Sequence, residues 1–582
     1  MRNEEVARVF ERVADLLEIK GESVYRVLAY RRAAETLRGY GRDLEEVWKA
    51  GALREIPGVG EAIAAKIDEL LRSGRLEYFE KLKGEVPETL PDLLQVSDVG
   101  PKKAARFWKE LGITTIEQLE EAARAGQLRT LSGMGERSES RILQSLEALR
   151  RRSSDRIPLG RAMQEAARLL GRLRSVAGVE RAESAGSLRR QRETVGDLDL
   201  IVAARHGERV RREVLEWPDV ARVLGQGDTK TSLELRDGLR VQLWVHPPDR
   251  FGSAWLYATG SKAHNVRLRE LALDRDLSLS EHGFKRGDGE EILCREEEEV
   301  YRALELPWIP PEIREDLGEV EAARAGKLPR LVQTGDLRGD LHAHSEWSDG
   351  AVDVRTLAEA ARDQGLAYLA ITDHSQSLGM VQGLTPERVR QQRAEIDALQ
   401  RSLGSAIRIL QGAEVEILAD GSLDFPDSVL AHLDLVIASL HTSLRQPRAQ
   451  VTERVLRALA NPHVDMLGHP TGRLIGKRDP ADLDMEAVFR SAAEHQVVME
   501  INANPERLDL NDGHARTALK FGCLLAIGSD AHHPDHLAFR SFGLGIARRA
   551  WATRENVLNT WPAPEVEAWL DRRRNSSPRD RG

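Results

Sequence analysis

AGSLRRQRETVGDLDLIVA, residues 185–203, decides how the first half of this chain is read. Gly186-Ser187 follows an expected strand, where backbone N–H groups and a hydroxyl can cradle a phosphate. Asp197 and Asp199 alternate along the next strand, so both carboxylates leave the same face. Two carboxylates that close suit divalent cations held between triphosphate oxygens. D-x-D alone would be an exposed strand carrying two acids. With Gly-Ser ahead of it, Arg190 between and an apolar strand after it, the stretch reads as a nucleotidyl-transfer site in an α+β domain.

Outward from this stretch the texture is strand-like on the C-terminal side. SLELRDGLRVQLWV (232–245) reads as two strands. A two-residue turn at Asp237-Gly238 would pair Gln242 with Leu233 and put Glu234 opposite Val241, on the other face. On the N-terminal side the pattern is helical. VARVFERVADLLEI and AYRRAAETLRGY carry apolar residues three and four apart. One element recurs there as LREIPGVGEAIAAKI (53–67), LLQVSDVGPKKAARF (93–107) and LRTLSGMGERSESRI (128–142). Each is a helix, a tight glycine hairpin and a helix. Gly58, Gly60, Gly100, Gly133 and Gly135 let the backbone approach a ligand, and the following helix start aims N–H groups at an anion. A single copy would be a plain packing joint. Three copies favour a clamp on DNA phosphates that reads no bases.

Residues 318–335, rich in Ala, Gly, Pro and charge, look like a linker. Beyond them short apolar strands alternate with helices, which argues for a parallel α/β barrel. Twelve of the 16 histidines lie at or beyond position 336. Six of them fall in DLHAHSEWSDG (340–350), ITDHS (371–375), SLH (439–441), GHP (468–470) and GSDAH (528–532), with GAEVEI (412–417) among these motifs. One histidine at a strand end is usually structural. H-x-H, D-H, G-H-P and D-x-H in succession point to metal ligation, and imidazole with carboxylate suits zinc, manganese or iron.

The bulk properties bound the rest. At roughly 150 residues per domain, 582 residues make about four domains. Hydrophobic residues are 41% and charged residues 31%, a globular balance, and no run reaches the roughly 18 to 20 apolar residues of a membrane helix. The N-terminus lacks the apolar block of a secretory signal. Two cysteines, Cys294 and Cys523, exclude a disulfide framework and fit a reducing cytoplasm. Net charge is -9, yet residues 101–212 carry 24 Lys+Arg against 15 Asp+Glu. That basic stretch is either a phosphate-binding face or a solvated helix surface.

The 185–203 stretch resembles the nucleotidyltransferase signature of the family X DNA polymerases, gap-filling repair enzymes. YATGSKAHNVRLR (257–269) is similar to that family's nucleotide-pocket segment, which gives Tyr257, Gly260, Asn265 and Arg269 the sugar and base pocket. AYRRAAETL and IPGVGEAIAAKIDEL resemble its lyase-type N-terminal domain. Lys66 then stands where the family has the lysine that attacks the sugar aldehyde at an abasic 5′ end, while Tyr25 and Arg26 replace other contact residues. The histidine motifs resemble the PHP (polymerase and histidinol phosphatase) phosphoesterases, whose nine ligand positions fall on His342, His344, Asp349, His374, Glu414, His441, His469, Asp530 and His532. One position departs: the family's third palm carboxylate is Gln242 here.

The resemblance implies a multi-domain fold. Its parts are a lyase-like helix-hairpin-helix domain (1–88), a fingers-like one (89–150), an α+β palm (151–247), a thumb-like domain (248–317), a linker (318–335) and a distorted (β/α)7 PHP barrel (336–575). It implies Asp197 and Asp199 as catalytic metal ligands for Mg or Mn, a dNTP held by Gly186, Ser187 and Arg190, and a three-metal Mn, Zn or Fe cluster in the barrel. The expected partner is gapped or nicked DNA, with no membrane, for a cytoplasmic monomer in base excision repair. The expected activities are nucleotide addition, weakened by Gln242, and 3′-5′ exonuclease. Two alternatives stay open: a small-molecule phosphatase, and a scaffold whose inactive polymerase half feeds a nuclease.

Overall fold

A computed structural model describes residues 3–38, 44–56, 59–96, 99–151, 156–378 and 381–575. The chain forms two compact units. The first is Met1–Ile157, Ala162–Arg189 and Val195–Gly326; the second is Pro158–Arg161, Arg190–Thr194 and Lys327–Gly582. Among the described residues no helix is long and apolar enough to cross a membrane.

The first unit begins with helices α1 (Asn3–Lys20) and α2 (Val24–Arg38). Val6, Phe10, Val13 and Leu17 form the buried stripe of α1, and Phe10 meets Tyr30 of α2 edge to face. Each such side chain contributes roughly 1.5–3 kcal/mol by leaving water. Helices α3 (Glu61–Ser73), α4 (Pro101–Leu111) and α5 (Glu136–Arg151) follow the three glycine hairpins. One apolar core runs unbroken from Val6 to Leu146. The expected boundary at 88/89 therefore does not separate two cores.

The palm region is a five-stranded mixed sheet of β1 (Val179–Ser184), β2 (Leu198–Ala204), β3 (Val220–Gln226), β4 (Lys230–Leu235) and β5 (Arg240–His246), in the order β1-β2-β5-β4-β3. Only β2 and β5 run parallel. The β4–β5 register corrects the expectation. Leu235 N–H bonds Leu239 O, and Gly238 takes φ 86 in a three-residue connection. The register shifts by one, so Gln242 pairs with Ser232 and Glu234 with Arg240. Glu234 thus shares the face of Gln242 rather than opposing it.

Helices α6 (Phe251–Thr259) and α7 (Lys262–Leu273) come next. The expected linker is also partly built: Glu319–Arg324 is a helix whose Val320 is buried. Glu319 is buried as well, bonded to His264 Nδ1 at 2.7 Å. A charged residue seals this helix to its unit, which is why composition alone suggested an open strap.

The second unit is a barrel of seven parallel strands in sequential order: β6 (Gly339–Asp340), β7 (Tyr368–Ile371), β8 (Arg408–Glu416), β9 (Leu435–Ser439), β10 (Met466–Gly468), β11 (Val498–Asn502) and β12 (Leu525–Gly528). The strands are almost wholly buried, as a parallel sheet covered by helices requires. An Ala343–Ala531 bridge joins the ends of the first and last strands. Gly339 is obligatory here, because a Cβ would lie 2.1 Å from the Tyr368 ring.

Candidate functional site

The barrel carries the denser constellation. His342, His344, His374, His441, His469, Asp530 and His532 leave the C-terminal ends of strands, Glu414 stands late in β8, and Asp349 lies in the loop after β6. All nine expected residues converge. Glu414 is the hub, with Oε1 at 2.7 Å from His469 Nε2 and 3.2 Å from His441 Nε2, and Oε2 at 3.0 Å from His374 Nδ1. His344 Nε2 is 3.2 Å from Asp530 Oδ1, and His532 Nε2 is 3.3 Å from Asp349 Oδ2. Three ligand groups emerge: His344, Asp349, His374 and His532; His342, His344 and Asp530; His374, Glu414 and His441. Three cations fit this set on chemical grounds. Among the described residues, His342 Nε2, both nitrogens of His344, His374 Nδ1, His441 Nε2 and both oxygens of Glu414 are buried without a hydrogen-bond partner.

Two carboxylates behind the cluster set the imidazole tautomers. Glu500 Oε1 sits 2.6 Å from His342 Nδ1, and Glu416 Oε2 sits 2.8 Å from His441 Nδ1. With a cation bound, each would leave Nε2 as a lone-pair donor facing inward. Without one, burial opposes protonation of the rings, but Glu414 and the same outer carboxylates outweigh it and raise His342 well above the usual imidazole range and His441 to about 9. Burial pushes the Glu414 carboxyl up, but His441, His374, His342 and His469 outweigh it and hold the group ionised. Burial and the neighbouring His532 and His374 depress His344 to about 3, keeping it neutral for ligation. Sequence reasoning missed Glu416 and Glu500. The acid two residues after Glu414 in GAEVEI, on the same face of β8, was the available signal for Glu416.

The palm site is assembled from two strands. Asp197 and Asp199 lie at the start of β2, and Gln242 is the register partner of Asp199 on β5. Gln242 Nε2 donates to Asp197 Oδ2 at 3.1 Å, while its Oε1 accepts from Ser232 Oγ at 2.5 Å. The amide oxygen, the one atom that could ligate a cation, is occupied by a hydroxyl. Glu234 cannot substitute readily, since Arg222 engages it at 2.8 Å. Gly186 has φ 59, and a Cβ there would lie 2.0 Å from Asp199 Oδ2. Gly186 is thus needed for the close approach of the Gly-Ser turn to the acids, with Ser187 beside it.

The residues expected to form the sugar and base pocket lie on or between α6 and α7. Asn265 Nδ2 donates to the Tyr257 carbonyl at 2.8 Å, and Arg269 Nε to the Asn265 carbonyl at 3.3 Å. Gly260 joins the helices at φ 70. Trp244, missed from sequence, links pocket to acids: its ring meets Tyr257 at 6.0 Å and its Nε1 donates to Asp199 Oδ1. Arg189 is a largely buried structural residue. It forks onto the buried Glu297, which Arg314 also clasps. Arg190 begins a short segment that groups with the second unit, and its carbonyl accepts from Arg549.

In the helical region Lys66 is half-buried on α3, with Nζ 5.3 Å from the Tyr78 ring centroid and donating to the Ala62 carbonyl at 3.3 Å. Tyr78 stacks on Tyr30, Arg26 reaches its hydroxyl, and Tyr25 is 85% exposed. Asp68 bonds Trp48 and Arg72 rather than Lys66. Gly60, Gly100, Gly133 and Gly135 have nothing within 4 Å of a notional Cβ, so their hairpins present open backbone. Gly58 lies outside the described residues.

Four family descriptions match the chain. They are a helix-hairpin-helix domain at residues 1–76, a SAM-like helix-hairpin-helix tandem at 90–148, the DNA polymerase beta thumb at 254–315 and a PHP domain at 340–504. The DNA polymerase/3'-5' exonuclease PolX of Bacillus subtilis (strain 168) is 40% identical over 575 residues, 98% of this chain and all of that protein. A probable phosphatase of Thermoanaerobacter sp. (strain X514) is 30% identical over 38% of this chain and 89% of its own length. A probable phosphatase of Caldanaerobacter subterraneus subsp. tengcongensis is also 30% identical, over 40% of this chain and 91% of its own.

Proposed function

Because the chain belongs to the family X DNA polymerases that carry a C-terminal PHP domain, we propose that its two activities are divided between the two constellations. It is a repair polymerase with a 3′-5′ exonuclease. The barrel cluster is the nuclease and the palm acids are the nucleotide-adding site. The observation that carries this reading is the convergence of nine ligand-type side chains around Glu414, with inward atoms of His342, His344, His374, Glu414 and His441 buried and, among the described residues, without a hydrogen-bond partner.

Metals bound there, Mn, Zn or Fe, supply an activated water and offset charge on the leaving oxygen. The chain's residues do the rest. His342 and His441 are held in one tautomer by Glu500 and Glu416. In the reaction a water oxygen bonds to phosphorus and the phosphorus–O3′ bond breaks. The 3′-terminal nucleotide leaves as a 5′-monophosphate, and the shortened strand keeps a 3′-hydroxyl. At the palm, Asp197 and Asp199 are the residues for Mg or Mn and the dNTP phosphates, Ser187 and the Gly186 turn contact the triphosphate, and Tyr257, Gly260, Asn265 and Arg269 shape the pocket. Gln242 cannot take a proton from the primer 3′-hydroxyl, so addition is slowed. The hairpins bind the phosphates of gapped or nicked DNA, for a cytoplasmic monomer.

Primer extension on gapped DNA, run beside digestion of 3′-labelled DNA, tests the division. Digestion without extension would reduce the palm to a DNA-delivering scaffold. Neither activity, with turnover of a small phosphomonoester, would favour the phosphatase reading. Lys66 is assigned the sugar-aldehyde lyase role. Borohydride trapping of an abasic DNA adduct that persists in Lys66→Ala would remove it.

A further inference from the structure

Arg507 occupies the loop after β11, on the wall of the barrel cluster. Its Nε lies 3.4 Å from Asp530 Oδ2, and its NH1 is buried with no hydrogen-bond partner among the described residues. Arg478 stands close enough to be repelled by it. A buried guanidinium nitrogen left open beside a cation cluster is matched by an anion that also touches the cations, and a phosphodiester oxygen is such an anion.

The loop that carries Arg507 is braced from residues far away in sequence. Arg473 Nε donates to the Arg507 carbonyl at 2.9 Å, and Arg473 NH2 reaches the Leu508 carbonyl. Arg473 is itself held by Glu193, Oε2 at 2.7 Å. Glu193 lies between Ser187 and Asp197 in sequence, yet its segment belongs to the second unit. The other short segment of that unit touches the same loop. A Cβ on Gly160 would meet Pro505 Cβ at 2.7 Å, so only glycine permits the approach. Leu159 N–H to Glu193 O at 3.0 Å ties the two segments together.

We propose that Arg507 holds the scissile phosphate at the nuclease centre, and that Glu193 and Gly160, drawn from the polymerase half of the sequence, position the loop that presents it. This rests on the barrel being the nuclease. Glu193 and Arg473 are positioning residues; Arg507 alone touches substrate.

The test uses full-length protein. Arg507→Gln should lower exonuclease kcat/KM about tenfold to a hundredfold and weaken inhibition by dTMP, with Mn2+ affinity in titration calorimetry near wild type. Glu193→Ala should do the same more weakly, and Glu193→Gln, which keeps an acceptor, should recover most of the loss. Without metal, hydrogen exchange at residues 505–509 should quicken in Glu193→Ala while the barrel strands stay protected. Gly160→Ala should give the same exchange signature by pressing on Pro505. Unchanged exchange and digestion in Glu193→Ala would overturn the positioning role. Unchanged dTMP inhibition in Arg507→Gln would overturn the phosphate role. Wild-type protein that digests no DNA would instead sink the nuclease reading beneath both.

Discussion

The barrel cluster and the palm acids are both sites for cations, but they are built in opposite ways. In the barrel, Glu414 and Asp530 are nearly inaccessible and each faces several imidazoles, so the cluster stays together as a mutually compensating set. In the palm, Asp197, Asp199 and Gln242 are half-buried and face one another with an amide where a third acid would stand. A buried cluster gains its electrostatic strength from exclusion of water. A solvent-reached pair depends on the count of charges. Loss of one group should therefore be catastrophic in the barrel and graded in the palm.

The largest expected effect tests the first half of that contrast. His344→Ala or Asp530→Ala should abolish 3′-5′ digestion. Outer carboxylates around metal ligands typically cost about 10- to 100-fold, so loss of a ligand itself should exceed that. Gel-shift affinity for gapped DNA should stay near wild type, because the hairpins lie in the other unit. Digestion at wild-type rate by both variants would refute the barrel assignment.

Gln242→Asp probes the graded site. It returns a carboxylate beside Asp199 and removes the donor that now satisfies Asp197. Incorporation on gapped DNA should rise about 10²-fold, the scale of one positioned acid–base group, with the exonuclease unchanged. If the wild-type chain already extends primers as fast, the third carboxylate is dispensable, and the palm is less graded than its geometry implies.

These sites were legible to different depths for a physical reason. The nine barrel residues sit within short motifs at strand ends, so each declares itself in five or ten residues of sequence. The palm's third position does not, because it depends on register. One residue in the β4–β5 connection moved the partner of Gln242 from Leu233 to Ser232 and carried Glu234 to the other face. Long-range partners left no local trace at all: Glu500 on His342, Trp244 on Asp199, Glu193 on Arg473. Fold type followed from periodicity. The unbroken core across residue 88 and the helix within the expected linker did not, since both depend on which distant surfaces are buried.

Glu500→Gln sharpens the contrast inside the barrel. The substitution keeps shape but offers His342 Nδ1 a neutral acceptor in place of a carboxylate. The imidazole becomes a weaker ligand, and Mn2+ affinity should fall about 10- to 100-fold, with activity recovered at higher Mn2+. A loss that excess Mn2+ does not rescue would mean that Glu500 supports the fold rather than the ligand.

The smallest effect concerns an acid of neither site. Asp316 lies near the end of the thumb-like region in the first unit, with Arg32 of α2 3.7 Å away. Burial raises its carboxyl to about 6; Arg32 opposes the rise, and Glu319 and Glu321 add to it. The sign follows from linkage. A carboxyl whose folded value lies above its unfolded value near 3.8 binds its proton more tightly in the native state. Its charge therefore costs the fold stability as pH rises from about 4 through 6, and the cost is complete above that. Asp316→Asn carries no such charge, so the variant should melt higher than wild type at pH 7 and 8, and the difference should shrink as pH falls through 6. If instead the variant melts lower at pH 7, the ion pair with Arg32 outweighs burial. Compensation by a single cation would then suffice for a half-buried acid, and the barrel's crowd of histidines would need a reason other than charge.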